Sequence, residues 1–189
     1  MGSGAVQFVK STYIPTNGIH RFPKVDGSTQ SIQTIEYEHH EIHSGSHFFV
    51  AGYGTYAADE DVDFQVTTPA TTKWAHMTFE VTSSCAATIK IYESAAVAAD
   101  GVSVTPINNN RNSNTTSVLT IQTDGTVNTV GSLIYSAAIG AGQKGAGFHD
   151  REREIVLKQN TTYRFFIESD AAANVISYVG EWYEHTDAE

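Results

Sequence analysis

Leucine is nearly missing from this chain of 189 residues: Leu119, Leu133 and Leu157 are its only three. Threonine, valine, isoleucine and aromatic residues recur in short runs instead, a composition that favours strands over helices. No long window carries a clean helical period. Cysteine is as scarce. The single Cys85 excludes an internal disulfide, and its neighbours Ala86 and Ala87 predict a buried, unreactive thiol of the kind that persists in a reducing cytoplasm. No run of about 18 apolar residues occurs, so no membrane-spanning helix is expected. The first residues lack the basic-then-apolar order of a secretion signal, and Val6 stands where a myristoylation site needs Ser or Thr. Positive charge is short as well: 11 Lys and Arg face 21 Asp and Glu, a net charge of −10. Phosphate backbones are held by clustered Lys and Arg, so this balance argues against a nucleic-acid surface.

What is present is a series of short, regularly spaced alternating segments. Val62–Val66, Trp74–Val81, Thr88–Glu93, Ser117–Gln122, Ser132–Ala137, Arg151–Leu157, Tyr163–Glu168 and Val175–Glu184 each read as a strand. Turn signals separate them, as at Ser83-Ser84, Asp124-Gly125 and Ala171–Asn174. With no crossover helices between them, these segments predict an all-β fold, an antiparallel β-sandwich over residues 34–189. A jelly-roll-like winding is preferred to an immunoglobulin-like one, because no Cys–Trp–Cys signature exists and the loops are long. Residues 1–33 read differently. Pro15, Asn17-Gly18, Pro23 and Asp26-Gly27 fall too close together for a long element, so an extended N-terminal arm is expected. Its Phe8, Tyr13, Ile14 and Phe22 need an apolar surface, on this domain or on a neighbouring subunit. Between Asn108 and Thr116, five asparagines surround Arg111, which predicts a loop either disordered or held by many side-chain-to-backbone bonds.

Chemistry-bearing residues concentrate at 34–53, where His39, His40, His43 and His47 fall within nine positions. The alternation reads as a hairpin, two strands joined at Ser44-Gly45-Ser46, with glycine where a positive φ costs little. As a strand, this segment would put His39, Glu41 and His43 on one face, the spacing at which a strand presents ligands to one transition metal. That pattern is also loosely similar to the His-x-His strand of cupins, except that Glu41 interrupts the pair. The opposing expectation has His40 and His47 packing at a subunit interface as hydrogen-bonded imidazoles, with no metal. Catalytic motifs are wanting. There is no G-x-S-x-G elbow, the H-E-x-x-H pattern fails at Ser44, and the glycines at 140–147 lack the order of a phosphate loop. Neither an enzymatic activity nor a cofactor is therefore expected.

Several longer stretches carry a family resemblance. They are His39-His40-Glu41-Ile42-His43-Ser44-Gly45-Ser46-His47-Phe48-Phe49, Thr67-Thr68-Pro69 with Thr72-Lys73-Trp74-Ala75-His76, and Asn108 with Asn110-Arg111-Asn112. Leu157-Lys158 with Asn160-Thr161-Thr162-Tyr163 and the ending Trp182-Tyr183-Glu184-His185 complete the set. Over about residues 34–186 the chain resembles capsid decoration (cement) proteins of tailed bacteriophages. That resemblance implies a trimer-forming sandwich made in the bacterial host's cytoplasm, which binds the outside of an icosahedral head and clamps adjacent major capsid subunits. Its partners would be the major capsid protein and neighbouring decoration subunits, and it brings no catalytic residues with it. Two other functions stay open. One is a glycan- or receptor-binding module on the virion surface, with Trp74, Tyr135 or Trp182 as a stacking platform. The other is a cupin-like metal-dependent enzyme.

Overall fold

The structure, a computed structural model, describes residues 27–29, 37–142, 145–148 and 153–186. The chain divides into two compact units, 1–37 and 38–189. In the first, only the turn at 27–29 is described, so the expected arm and its Phe8, Tyr13, Ile14 and Phe22 lie outside the described residues. The second unit is almost entirely β.

Six strands make one sheet. Its edge-to-edge order is β11 (Gly145–Phe148), β3 (Trp74–Ser83), β14 (Asn174–His185), β1 (His47–Tyr56) and β7 (Ile107–Asn108), and β12 (Ile155–Leu157) also pairs with β3. A second sheet runs β10 (Ser132–Ile139), β4 (Ala87–Glu93), β13 (Thr162–Ser169), β2 (Asp61–Thr67), β8 (Thr120–Thr123) and β6 (Val102–Val104). A two-stranded ribbon of β5 (Ala96–Ala99) and β9 (Thr126–Thr129) accompanies them. Every described pairing is antiparallel, and the pairings are nested. The first strand takes the last, β1 with β14 from His47↔Tyr183 to Tyr56↔Asn174. Next, β2 takes β13, β3 takes β12 and β11, and β4 takes β10. Consequently β14 lies between β3 and β1, and β13 lies between β4 and β2.

The period-2 alternation seen in the sequence is what closes this sandwich. On β13 alternate residues turn inward, burying Tyr163, Phe165 and Ile167; on β4 the inward set is Ala87, Ile89 and Ile91. The facing sheet contributes Phe48, Val50, Met77, Phe79, Val81, Ile176 and Trp182. Phe79 bridges the two layers, with its ring centroid 5.6 Å from Phe64 and 4.9 Å from Phe165, while Phe64 and Phe165 stack at 4.7 Å. A fully buried aromatic of this kind contributes about 1.5–3 kcal/mol by area alone, and offset or edge-on pairing adds about 0.5–1.5 kcal/mol.

One expected element is of the wrong type. Residues Tyr37–Ser44 form an α-helix, α1, and not the first strand of a hairpin. The chain then turns at Gly45, whose φ is +79°. Ser46 N–H donates to the Glu41 carbonyl and Gly45 N–H to the Ile42 carbonyl, each at 3.1 Å. That pair of bonds is the signature of a helix end closed by a left-handed glycine. A positive-φ glycine serves a hairpin turn and a helix C-terminus equally well, and eight polar-rich residues carry too little periodicity to separate the two.

Candidate functional site

The helix dissolves the metal-ligand set expected at positions 39, 41 and 43. At helical spacing His39 and His43 are neighbours one turn apart, stacked with centroids 4.7 Å apart, and both are exposed. Glu41 points elsewhere and is buried. It accepts hydrogen bonds from the hydroxyls of Ser46 and Ser44 and lies 3.3 Å from His40 Nδ1. Burial pushes its carboxyl upward, but the Ser46 hydroxyl, His40 and the charge of His185 outweigh that and hold it below the usual carboxylate value. Among the described residues no group of three or more His, Cys, Asp or Glu side chains is disposed to hold a metal ion.

The two histidines expected at an interface part company. His40 is exposed beside Glu41. His47 is 2 % exposed, its Nδ1 2.6 Å from Asn109 Nδ2, so β1 turns it into the protein. Its neighbour is the asparagine loop, which is ordered by the bonds that were one of its two expected states. Asn108 Nδ2 donates to the Gly45 and Thr115 carbonyls at 2.8 and 3.1 Å, and Asn110 Nδ2 donates to the His43 carbonyl at 3.2 Å. Asn110 N–H in turn donates to Asn108 Oδ1 at 2.9 Å. The loop is a clamp over the corner where α1 becomes β1.

A different histidine cluster forms across β3 and β14. In their register Tyr183 faces His76 and His185 faces Trp74. His76 Nδ1 lies 2.7 Å from Glu154 Oε1, just ahead of β12, and 3.0 Å from the Tyr183 hydroxyl. Tyr183 donates to the same Glu154 oxygen at 2.8 Å. On its other side, His76 Nε2 meets His185 Nε2 at 2.8 Å, and the two rings are 4.6 Å apart. The His76 and Glu154 side chains are 15 % and 17 % exposed, so solvent screens this contact weakly. His185 and His76 lie more than a hundred residues apart and are brought together by the pairing of β3 with β14.

Glu184, between those two residues on β14, faces the interior. Its Oε1 accepts from Ser117 Oγ at 2.5 Å, Val118 N at 3.0 Å and Trp182 Nε1 at 3.1 Å. Oε2 accepts from Val118 N at 3.1 Å and sits 3.7 Å from Lys73 Nζ. Trp182 is completely buried beside it, which removes that residue as a stacking platform, whereas Trp74 and Tyr135 are half-buried. Cys85 is half-buried, not buried as its alanine neighbours suggested; Ser84 and Cys85 sit at a surface turn where Asn174 Oδ1 accepts the Cys85 N–H at 2.9 Å.

On the second sheet, an open groove of about 460 Å³ lies between β5 and the ends of β2, β8 and β13. Thr67, Thr120, Thr162, Gln122 and Asp100 line it, with Ala95, Ala96 and Val97. Hydroxyl, amide and carboxylate groups over a small apolar wall suit an uncharged polyhydroxylated ligand better than an anion. At the far edge of the same sheet, β10 exposes Leu133 and Ile134, with Val130 just before it. A bulge between Leu133 and Tyr135 interrupts its pairing with β4.

No protein-family model, curated protein or solved structure matches this chain.

Proposed function

We propose that the chain is a capsid decoration protein, a non-enzymatic body that binds the outer surface of an icosahedral phage head and clamps adjacent major capsid subunits. We read the nested strand pairing as a jelly roll. The observation that carries the proposal is the run of exposed apolar side chains on and before β10, at the end of the described sheet order. A strand at the end of a sheet is a template for other chains, and a bulge limits open-ended pairing. Leu133, Ile134 and Val130 then give a contact made by side chains, with a definite end. Such a surface suits a closed trimer seated on a repeating shell, where many modest contacts add up. The acidic charge and the virion-protein resemblance support the same reading.

Two experiments test it. Sedimentation of the purified chain should give three times the monomer mass, and Leu133→Lys with Ile134→Lys should return the monomer. Antibody-labelled electron microscopy of particles from a producing host should decorate heads. Label confined to tails, or found only on free protein, would remove the proposal.

A glycan-binding module is the second reading, favoured by the groove lined by Thr67, Thr120, Thr162, Gln122 and Asp100. Binding on a glycan array that Asp100→Ala and Gln122→Ala abolish would support it.

A further inference from the structure

We infer that the groove on the second sheet continues beneath the β5–β9 ribbon to Gln65, whose amide oxygen accepts a hydroxyl of the bound saccharide once the ribbon lifts. The inference rests on the glycan-binding reading of that groove. It adds the residue at the inner end and the segment that moves.

Strand register lays out the floor of the groove. Thr67 of β2 pairs with Thr120 of β8 and with Thr162 of β13, so three threonines form a row across the outer face of the sheet. Two residues along, Gln65 pairs with Gln122 and with Arg164, and these side chains form the next row on the same face. The threonine row and Gln122 line the groove. Gln65 stands beside Gln122 but is completely buried. Its roof is Gly125. A Cβ added there would lie 2.3 Å from Gln65 Oε1 and 3.1 Å from Nε2, so the glycine backbone rests on the amide.

The orientation of that amide is fixed. Asp63 offers only acceptors, so the atom 3.2 Å from its Oδ1 is Gln65 Nε2. Arg164 holds the other Asp63 oxygen, Oδ2, through Nε at 2.6 Å and Nη2 at 2.5 Å. Gln65 Oε1 is therefore the atom turned from Asp63. Among the described residues it is the one buried side-chain oxygen or nitrogen with no hydrogen-bond partner. A buried carbonyl in that state is short of a donor. Asp63 and Arg164 neutralise each other beside it, so the position suits an uncharged hydroxyl better than an ammonium group.

The ribbon is lightly held. The paired strands β6 and β8 lead into β5 and β9 at Gly101 and Gly125, whose backbones touch: a Cβ on Gly101 would lie 2.6 Å from Gly125 N. Within the ribbon only Val97 and Val127 are part-buried, and its register shifts twice. The Gly125 turn is tied down by Asp124 N–H donating to the Asp63 carbonyl, a long bond of 3.3 Å. Few buried contacts and a long hydrogen bond describe a segment that opens at low cost. Ala96 and Val97 of β5 wall the groove, and Gly125 ahead of β9 roofs Gln65. One displacement of the ribbon thus widens the groove and uncovers the acceptor.

The test is an NMR titration of the full carbon-13-labelled chain with maltotriose, cellotriose and triacetylchitotriose, neutral probes that differ in linkage and substituent. In the free chain Gln65 Cδ should resonate where an amide oxygen without a donor does. A bound trisaccharide should shift the Thr120 and Gln122 signals and move Gln65 Cδ downfield as its oxygen accepts a hydrogen bond. Gln65→Met, which keeps the bulk and removes the acceptor, should weaken that binding by about tenfold, the worth of one hydrogen bond. Gly125→Ala should do the opposite. Its methyl cannot share the closed arrangement with Gln65, so the ribbon stands open and binding tightens severalfold. Weaker binding by a folded G125A would refute the lifting ribbon. Shifts at Thr120 and Gln122 with Gln65 Cδ unmoved would overturn the inference and leave the groove reading standing, whereas no shift with any of the sugars would overturn both. A Gln65 Cδ already at the bonded position in the free chain would mean a trapped water and overturn it too. Should either variant prove unfolded, the Gln65 Cδ response of the parent chain decides alone.

Discussion

Replacing Glu184 by glutamine should be costly, because the side chain is buried and its carboxylate is fully engaged. The carboxylate accepts from Ser117 Oγ, Val118 N and Trp182 Nε1 through one oxygen, and from Val118 N through the other, with Lys73 at 3.7 Å. Hydrogen bonds to a charged group contribute about 1.5–3 kcal/mol, neutral ones about 0.5–1.5 kcal/mol. A glutamine that keeps its oxygen at the Oε1 position retains three bonds and loses roughly 1 kcal/mol from each. Its amide group then faces the Val118 N–H and the Lys73 ammonium, donor against donor, which adds about 1 kcal/mol. The expected cost is about 3–4 kcal/mol, a large part of the 5–15 kcal/mol typical of a domain. With a urea slope of about 2 kcal/mol/M, the midpoint should fall by about 1.5–2 M at unchanged slope. Lys73→Met is the control. Lys73 is partly exposed and its contact is long, so its loss should cost under about 1 kcal/mol. A shift below about 0.5 M for E184Q, or an equal shift for both variants, would refute the claim that Glu184, through the Ser117 and Val118 donors, holds β14 to the 117–118 segment.

Further outcomes follow from the same contacts. Asn108→Asp puts an acceptor against the Gly45 and Thr115 carbonyls and should cost about 2–3 kcal/mol, read as a melting temperature lower by about 5–10 °C; Asn112→Asp, on the exposed rim, is the comparison expected to change little. Burial pushes the Tyr163 hydroxyl up to about 12, with Glu93 adding to the effect. Its contribution is therefore intact below the ordinary value of 10.0 and drains as the pH rises toward about 12; Tyr163→Phe should flatten that alkaline loss in melting curves. Glu41 has the opposite sign. Held below its ordinary 4.5, it stabilises the fold above that value and stops doing so as acid protonates it, so Ser46→Ala, which removes a lowering hydrogen bond, should move the onset of acid unfolding to higher pH.

Most of the sandwich was legible because burial on one face of a strand imposes a period of two, which β3, β4, β10, β13 and β14 each keep over several residues, and β2 alternates Val62, Phe64 and Val66 with polar residues although Asp63 and Gln65 are buried too. Other stretches hid their structure, the short strands β9 and β11 among them. At 94–116 the strands β5, β6 and β7 are too short and exposed to leave a pattern in small polar residues. At 37–44, alternating histidines and acids imitated a strand while a glycine suited both possible turns. The histidine site was illegible for a different reason. His76, Glu154, Tyr183 and His185 come from three distant segments, and only the register of β3 with β14 and β12 unites them. Composition records residue types, whereas such a site is made by topology.

The two strands at the centres of the sheets, β13 and β14, are also the last two in chain order. During synthesis, β1 and β3 leave the ribosome with a gap between them, and β2 and β4 likewise, each gap waiting for a strand not yet translated. The sheet built on β2 and β4 lacks its middle strand until residue 169 is available, and the sheet built on β1 and β3 until residue 185. A message truncated before residue 162 yields a polypeptide with no centre to either layer, and one truncated between 169 and 174 lacks the centre of one, leaving unpaired strand edges open to proteolysis.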